Sequence, residues 1–278
     1  MRRVGIIGCG AIGTALALAL ERDYATVIRI VALVDQVHAR AFALQQHLSS
    51  RPAIVSLSEL IRRSHLVIES ASVAIASRVA QMDLAAGREV LIMSSGGLLM
   101  RPRVWQRAAH RSRGRLYVPS GGLCGLDGLK AMAVGRIRRI QLTTRKPPAA
   151  LASAPGVKAK RLTLARLRRP TIVFEGSPRD VVRAFPQNAN VAATMMLAGL
   201  STSRSSSSNK RLSATVRVVA DPTVSRNVHE LIVEGDAGRI QCQLESRPSD
   251  QNPKTSELAI RSALVTLRQL LDPIHIGT

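Results

Sequence analysis

Cysteine is scarce in this chain of 278 residues, where only Cys9, Cys124 and Cys242 occur. Three thiols so far apart cannot staple a small domain or build a structural zinc site, so no metal is expected and a reducing, cytoplasmic setting is. Aromatic residues make up 2% of the chain, which leaves almost nothing on which the bases of a single strand could stack. No apolar run reaches the roughly 20 residues that a membrane helix needs, so no membrane partner is expected. Acidic residues are also short, with 18 Asp+Glu against 40 Lys+Arg and a net charge of +22. The cations are scattered, from Arg2 and Arg3 through Arg62 and Arg63 to Arg136, Arg138, Arg139, Arg166, Arg168 and Arg169. Such dispersion describes a solvated basic surface that attracts small anions, and a nucleic-acid partner is not expected.

What is present is a core's worth of hydrophobic material, 46% of the residues. The opening MRRVGIIGCGAIGTALALAL sets two arginines before an apolar stretch, as a secretory leader does. Gly5, Gly8, Gly10 and Gly13 interrupt it and no small-residue cleavage site follows, so it reads as folded structure. Strand-like runs at Val4–Ile7, Val27–Val34, Ala53–Val55, His65–Glu69, Glu89–Ser94 and Arg115–Val118 alternate with helix-like stretches at Ala11–Glu21, Ala39–Leu48, Ile75–Ala86 and Arg103–His110. This rhythm predicts an α/β fold, a Rossmann-type doubly wound parallel sheet, over residues 1–120. Beyond the glycine-rich stretch 119–129 the strands follow one another: Ile137–Thr144, Thr171–Phe174, Thr215–Val219, Val228–Val233 and Arg239–Leu244. Helices are expected there only at Asp180–Ala184 and Val191–Leu200. A second α+β domain with a mostly antiparallel sheet is therefore expected over residues 121–250. Residues 251–278 should hold a turn at Asn252-Pro253 and a last helix, Ser256–Leu271, packing back at the domain interface. The serine-rich stretch 201–211 reads as a mobile surface loop.

Gly8-Cys9-Gly10-Ala11-Ile12-Gly13 fits the G-x-G-x-x-G pattern, follows an apolar strand and opens a helix. In that context Gly8 makes the tight turn, Gly10 admits a diphosphate to the backbone, and Gly13 lets the helix pack on the strand. The anion then faces the amides of Ala11, Ile12 and Gly13 at the helix's positive end. Asp35, closing the second strand about 20 residues on, is placed to accept from ribose hydroxyls. An acid there favours NAD, while Gln36, His38 and Arg40 nearby leave NADP open. Glu69-Ser70-Ala71-Ser72 and Ser94-Ser95-Gly96-Gly97 fall at later strand ends, where either cofactor contacts or ordinary loop serines belong.

Hydride transfer needs a proton-handling neighbour. His38, His47 and His110 lie among polar residues on helix-like stretches, His65 starts a strand, and His275 is in the tail. His229 stands apart, in a second-domain strand fed by a turn; a satisfied sheet histidine is the commoner case. Asn188 and Asn190 sit at a helix start, and Lys254, Thr255 and Ser256 precede the last helix, where a substrate carboxylate would find a cation, hydroxyls and backbone amides. Arg145 and Lys146 are further candidates. Simple capping accounts for both helix starts equally.

GCGAIG, PSGGLCGLDGL, TTRKPP, FPQNANVAAT, ADPTVSRNVHE and NPKTS, in this order, resemble the L-aspartate dehydrogenase family end to end. The resemblance implies NAD(P)-dependent oxidative deamination of L-aspartate to iminoaspartate, which yields oxaloacetate and ammonia or feeds NAD biosynthesis. It also implies a homodimer joined through the second domain. By similarity His229 is the active-site histidine, and Gly122 (through its amide) and Asn190 are cofactor contacts. The chain departs from the family at Gly121-Gly122-Leu123-Cys124, commonly Gly-Ala-Ile-Gly, and in the length of the serine-rich loop. The alternatives are another two-domain reductase, dihydrodipicolinate reductase-like or homoserine dehydrogenase-like, and a non-catalytic basic protein binding nucleotide or nucleic acid.

Overall fold

Apolar runs in the first 119 residues form β1 (Arg2–Ile7), β2 (Ile28–Val34), β3 (Ala53–Ile54), β4 (Leu66–Glu69), β5 (Glu89–Ile92) and β6 (Arg115–Tyr117) in the computed structural model. It describes residues 1–186, 189–201, 213–249, 252–274 and 276–277. The strands pair in the order β3-β2-β1-β4-β5-β6, all parallel. Strand order reverses between β1 and β4, the switch point beside which such sheets bind nucleotides. Helices α1 (Ala11–Tyr24), α2 (His38–His47), α3 (Leu57–Arg63), α4 (Val73–Ala85), α5 (Ser95–Met100) and α6 (Pro102–Arg111) supply the crossovers. Successive residues of the central strands, Ile6 and Ile7 or Val67 and Ile68, are buried alike because both faces are covered. Each such side chain contributes about 1.5–3 kcal/mol.

Two short helices were not evident in the apolar pattern. At α3, Ser56 accepts from the Glu59 amide as N-cap, a capping device that stabilises a helix too short to show a period. At α5, a Cβ on Gly97 would lie 2.3 Å from the Val73 carbonyl oxygen, so close packing on α4 holds a glycine-rich turn helical.

Asp83 of α4 is fully buried, and neither carboxylate oxygen has a hydrogen-bond partner among the described residues. Burial raises its pKa from 3.8 to about 8, against the opposing pull of Arg88. A carboxyl with a raised folded-state pKa leaves stability intact below pH 3.8 and costs stability as pH climbs toward 8. Asp83→Asn should remove this loss: melting curves should show the variant gaining on the parent across that window, by the order of 5 °C at pH 8. Equal melting temperatures at pH 8 would contradict this account of Asp83.

The contacts group Met1–Pro119 with Ala263–Leu271 as one unit and Ser120–Ser262 with Asp272–Thr278 as a second. In the second, β7 (Ile137–Lys146), β8 (Thr171–Gly176), β9 (Ala214–Ala220), β10 (Asn227–Gly235) and β11 (Arg239–Ser246) form a sheet ordered β11-β10-β7-β9-β8. The β7–β9 pair is parallel and the others antiparallel. Helices at Leu126–Met132, Pro148–Leu151 and Pro155–Ala159 add to Pro178–Ala184 and Asn190–Ser201. The three at Pro148–Leu151, Pro155–Ala159 and Pro178–Ala184 begin with proline, whose fixed φ suits a first turn.

Two expectations are corrected. Helices of the second unit are not confined to the two expected stretches, and Asn252-Pro253 is not a turn: Asn252–Ser256 is strand β13, paired antiparallel with β12 (Pro248–Ser249). Pairing gives the backbone partners that a turn would have left to water. The last helix, Glu257–Gln269, follows at once, and its first amide donates to the Arg247 carbonyl at 3.1 Å. Most of the serine-rich stretch, 202–211, lies outside the described residues. Among the described residues no helix is long and apolar enough to cross a membrane, and no group of His, Cys, Asp and Glu could hold a metal ion.

Candidate active site

The glycine turn in the first unit explains its own composition. Gly8 has φ +91°, and a Cβ there would lie 2.7 Å from the Ala71 backbone. A Cβ on Gly13 would meet the Gly8 carbonyl oxygen at 1.9 Å, so α1 can cross the turn only as glycine. Among the described residues nothing lies within 4 Å of the absent Cβ of Gly10, which caps α1 without a side-chain acceptor. That leaves an open cradle before the amide-bearing end of a helix of 14 residues, with Ala11 and Ile12 half-buried in its first turn. The arrangement fits a dinucleotide diphosphate.

Asp35 sits at the carboxyl end of β2, where Oδ2 accepts from the Cys9 amide at 2.7 Å and Oδ1 from the Val37 amide at 2.8 Å. The carboxylate is thereby clamped against the glycine turn. Two strand ends further along are tied by Glu69, which is fully buried. Its Oε1 accepts from the amides of Ala71 and Ser72 and from the Ser94 hydroxyl, and its Oε2 from the Ser94 amide. Burial nonetheless drives its pKa up, against the pull of those hydrogen bonds. Sequence reasoning found both segments but not that one carboxyl joins them. Ser95, Gly96 and Gly97 are buried within α5, and are not loop residues.

In the second unit His229 lies on β10, 3% exposed, opposite Thr144 of β7. Its Nδ1 is 3.0 Å from the Thr144 hydroxyl. Its Nε2 is on the side of Gly122: a Cβ there would be 3.8 Å from that nitrogen and 3.7 Å from Ser256 Oγ. Gly121, at φ +64°, turns this loop, and its amide donates to Ser262 Oγ at 3.0 Å. The imidazole does not keep the ordinary basicity of a free histidine. Burial, and secondarily the charge of Lys146, lower its pKa to about 3. Burial also lowers Lys146 to about 8. Strand alternation was the missed signal: Thr144 and Lys146 occupy core-facing positions of β7 otherwise given to Ile140 and Leu142.

The structure thus brings Gly122, His229 and Ser256 together. Asn190 opens the helix Asn190–Ser201, half-buried. Lys254 and Thr255 stand in β13 instead of at a helix start, and their side chains lie outside what is described, as does Asn188. His38, His47 and His110 are exposed.

A doubly wound sheet with a glycine turn at its first strand, joined to a second sheet bearing a buried histidine, defines a nicotinamide-dependent oxidoreductase with a Rossmann unit. Residues 8–119 match the NAD-binding domain of homoserine dehydrogenase, and residues 127–270 match the C-terminal domain of aspartate dehydrogenase. The chain is 40% identical to L-aspartate dehydrogenase of Methanosarcina barkeri, covering 100% of both chains. It is 34% identical to L-aspartate dehydrogenase 3 of Bordetella bronchiseptica, covering 99% of this chain and 97% of that one. The crystal structure of aspartate dehydrogenase from Thermotoga maritima shares the fold, with a TM-score of 0.71 at 24% identity and 100% of both chains covered. The chain belongs to the aspartate dehydrogenase family. The second unit separates it from homoserine dehydrogenases, because a Rossmann unit serves many chemistries.

Proposed function

We propose that the chain catalyses NAD(P)-dependent oxidative deamination of L-aspartate to iminoaspartate, which hydrolyses to oxaloacetate and ammonia, and the reverse reductive amination. The observation that carries this reading is the buried His229, with its Nε2 turned toward Gly122 and Ser256. The first unit holds the dinucleotide, with the diphosphate on Gly8, Gly10 and the amides of Ala11, Ile12 and Gly13, and the adenosine ribose on Asp35. When bound, the nicotinamide supplies the acceptor for the hydride that leaves Cα. Gly122, through its amide, and Asn190 orient it, as the family resemblance implies. NAD is the preferred form, since Asp35 repels a 2′-phosphate. The working state is a homodimer in the cytoplasm, with L-aspartate, oxaloacetate and ammonia as partners and no nucleic acid.

His229 is the general base. Its buried ring is neutral at ordinary pH, and the Thr144 hydroxyl at Nδ1 holds it so that Nε2 takes a proton from the substrate amine or from the water attacking the imine. An imidazole lowered to about 3 is a weak base. A dicarboxylate arriving beside Lys146 opposes the charge that, after burial, contributes to this lowering, and so moves the pKa upward.

The deciding assay is consumption of NADH with oxaloacetate and ammonium, repeated with NADPH; no consumption of either removes the reading. Asp35→Ser should raise kcat/KM for NADPH relative to NADH by about tenfold or more, the equivalent of roughly 1.4 kcal/mol. An unchanged ratio would detach Asp35 from the ribose.

A further inference from the structure

Two of the three thiols meet in the second unit, although they stand 118 residues apart in the chain. Cys242 lies on β11, the edge strand of the sheet, in the half-buried alternation that includes Ile240 and Leu244. Cys124 lies in the loop between Gly121 and Gly125, which turns at both glycines with φ +64° and +77°. The Cys242 thiol donates to the Cys124 carbonyl at 3.6 Å, and a Cβ on Gly125 would lie 2.7 Å from Cys242 Sγ. Burial first, then the hydrogen bond and charge of the Cys124 thiol, hold the Cys242 thiol up at about 11. Both thiols are free and half-buried, whereas Cys9 is 5% exposed. Free cysteine is among the most buried of residue types, so two facing thiols within reach of solvent are not what packing alone selects. The same loop carries Gly122, which borders His229 Nε2 and Ser256 Oγ.

We propose that Cys124 and Cys242 form a redox-sensitive dithiol, which a hydroperoxide joins into a disulfide, and, resting on the aspartate dehydrogenase reading, that this bond lowers turnover at His229. The Cys242 thiol keeps its proton at ordinary pH, so the first attack falls to Cys124. Its sulfur takes one peroxide oxygen, the O–O bond breaks, and the leaving oxygen departs with the thiol proton as water or an alcohol, which leaves a sulfenic acid. The Cys242 sulfur then attacks the Cys124 sulfur. The S–S bond forms, the S–O bond breaks, and the hydroxyl leaves with the Cys242 proton as water. Two electrons pass from the two sulfurs to the peroxide. A neutral sulfenic acid at Cys124 also lacks the charge that helped hold the Cys242 proton, so the first step eases the second. A covalent S–S bond of about 2 Å is shorter than any contact between free thiols. Forming it draws the loop toward β11 two residues from Gly122, and a displacement of about 1 Å near reacting groups costs about 100-fold in rate.

The test treats the whole enzyme with hydrogen peroxide, removes the excess with catalase, alkylates the remaining thiols and maps the peptides by mass spectrometry. NADH consumption with oxaloacetate and ammonium is followed on the same samples, with Cys124→Ser and Cys242→Ser beside the parent. The parent should yield a peptide linking Cys124 to Cys242 and lose turnover about tenfold or more, and dithiothreitol should reverse both changes. Cys242→Ser should stop at a sulfenic acid on Cys124, which dimedone captures. Cys124→Ser should keep its turnover through the treatment. Both thiols left open to alkylation in the parent would overturn the proposal, as would a linked peptide with unchanged turnover or an equal loss in Cys124→Ser. A protein that forms the linked peptide but consumes no NADH when reduced would instead count against the functional reading alone.

Discussion

His229→Ala should lower kcat for oxaloacetate amination by about 10²–10⁴-fold, the range general acid–base groups contribute, while leaving NADH affinity unchanged. The glycine turn proposed to hold the diphosphate belongs to the other unit, Met1–Pro119 with Ala263–Leu271. A buried imidazole also fills volume on the core face of β10, so its deletion costs stability of about 1–3 kcal/mol. His229→Asn separates the two effects: it keeps a polar group opposite Thr144 and restores part of the stability, but not the turnover. Steady-state kinetics and NADH fluorescence titration on both variants decide the matter. Turnover within tenfold of the parent, with NADH bound normally, would remove the histidine from the chemistry.

The second large effect is expected in the glycine turn. Gly13→Ala places a methyl 1.9 Å from the Gly8 carbonyl oxygen, a backbone atom that cannot rotate away. The turn must open, which costs about 1–3 kcal/mol in stability and displaces the amides that meet the diphosphate. NADH affinity should fall about 100-fold and the melting temperature should drop. Gly10→Ala provides the contrast, since no described residue lies within 4 Å of its Cβ. Its melting temperature should match the parent, and its affinity should still fall because the methyl occupies the cradle itself. If Gly13→Ala binds NADH as the parent does, the diphosphate does not rest on this turn.

The Rossmann unit was readable because its signals are local. Continuous apolar strands, a glycine turn whose residues obey backbone sterics and an acid at the end of β2 all lie within a short stretch of chain. Helices α3 and α5 escaped the apolar pattern: one rests on a capping hydrogen bond from Ser56, the other on contact with α4. The second unit was readable as strands, and His229 was singled out there. Its environment was not readable, because Thr144 and His229 are 85 residues apart and only sheet register joins them. The same holds for β13, where the Asn252-Pro253 signal for a turn yielded to strand pairing.

By itself the order of residues determined the alternating first unit and the glycine turn and singled out the candidate histidine, because period, φ and charge act between near neighbours. Tertiary structure alone decided that the histidine is buried beside a lysine and stripped of basicity, and that Glu69 ties two loops. It also left the hydroxyls of Ser246 and Ser256 without a hydrogen-bond partner among the described residues. Burial and long-range pairing set those properties, and both depend on which distant strands come to lie side by side.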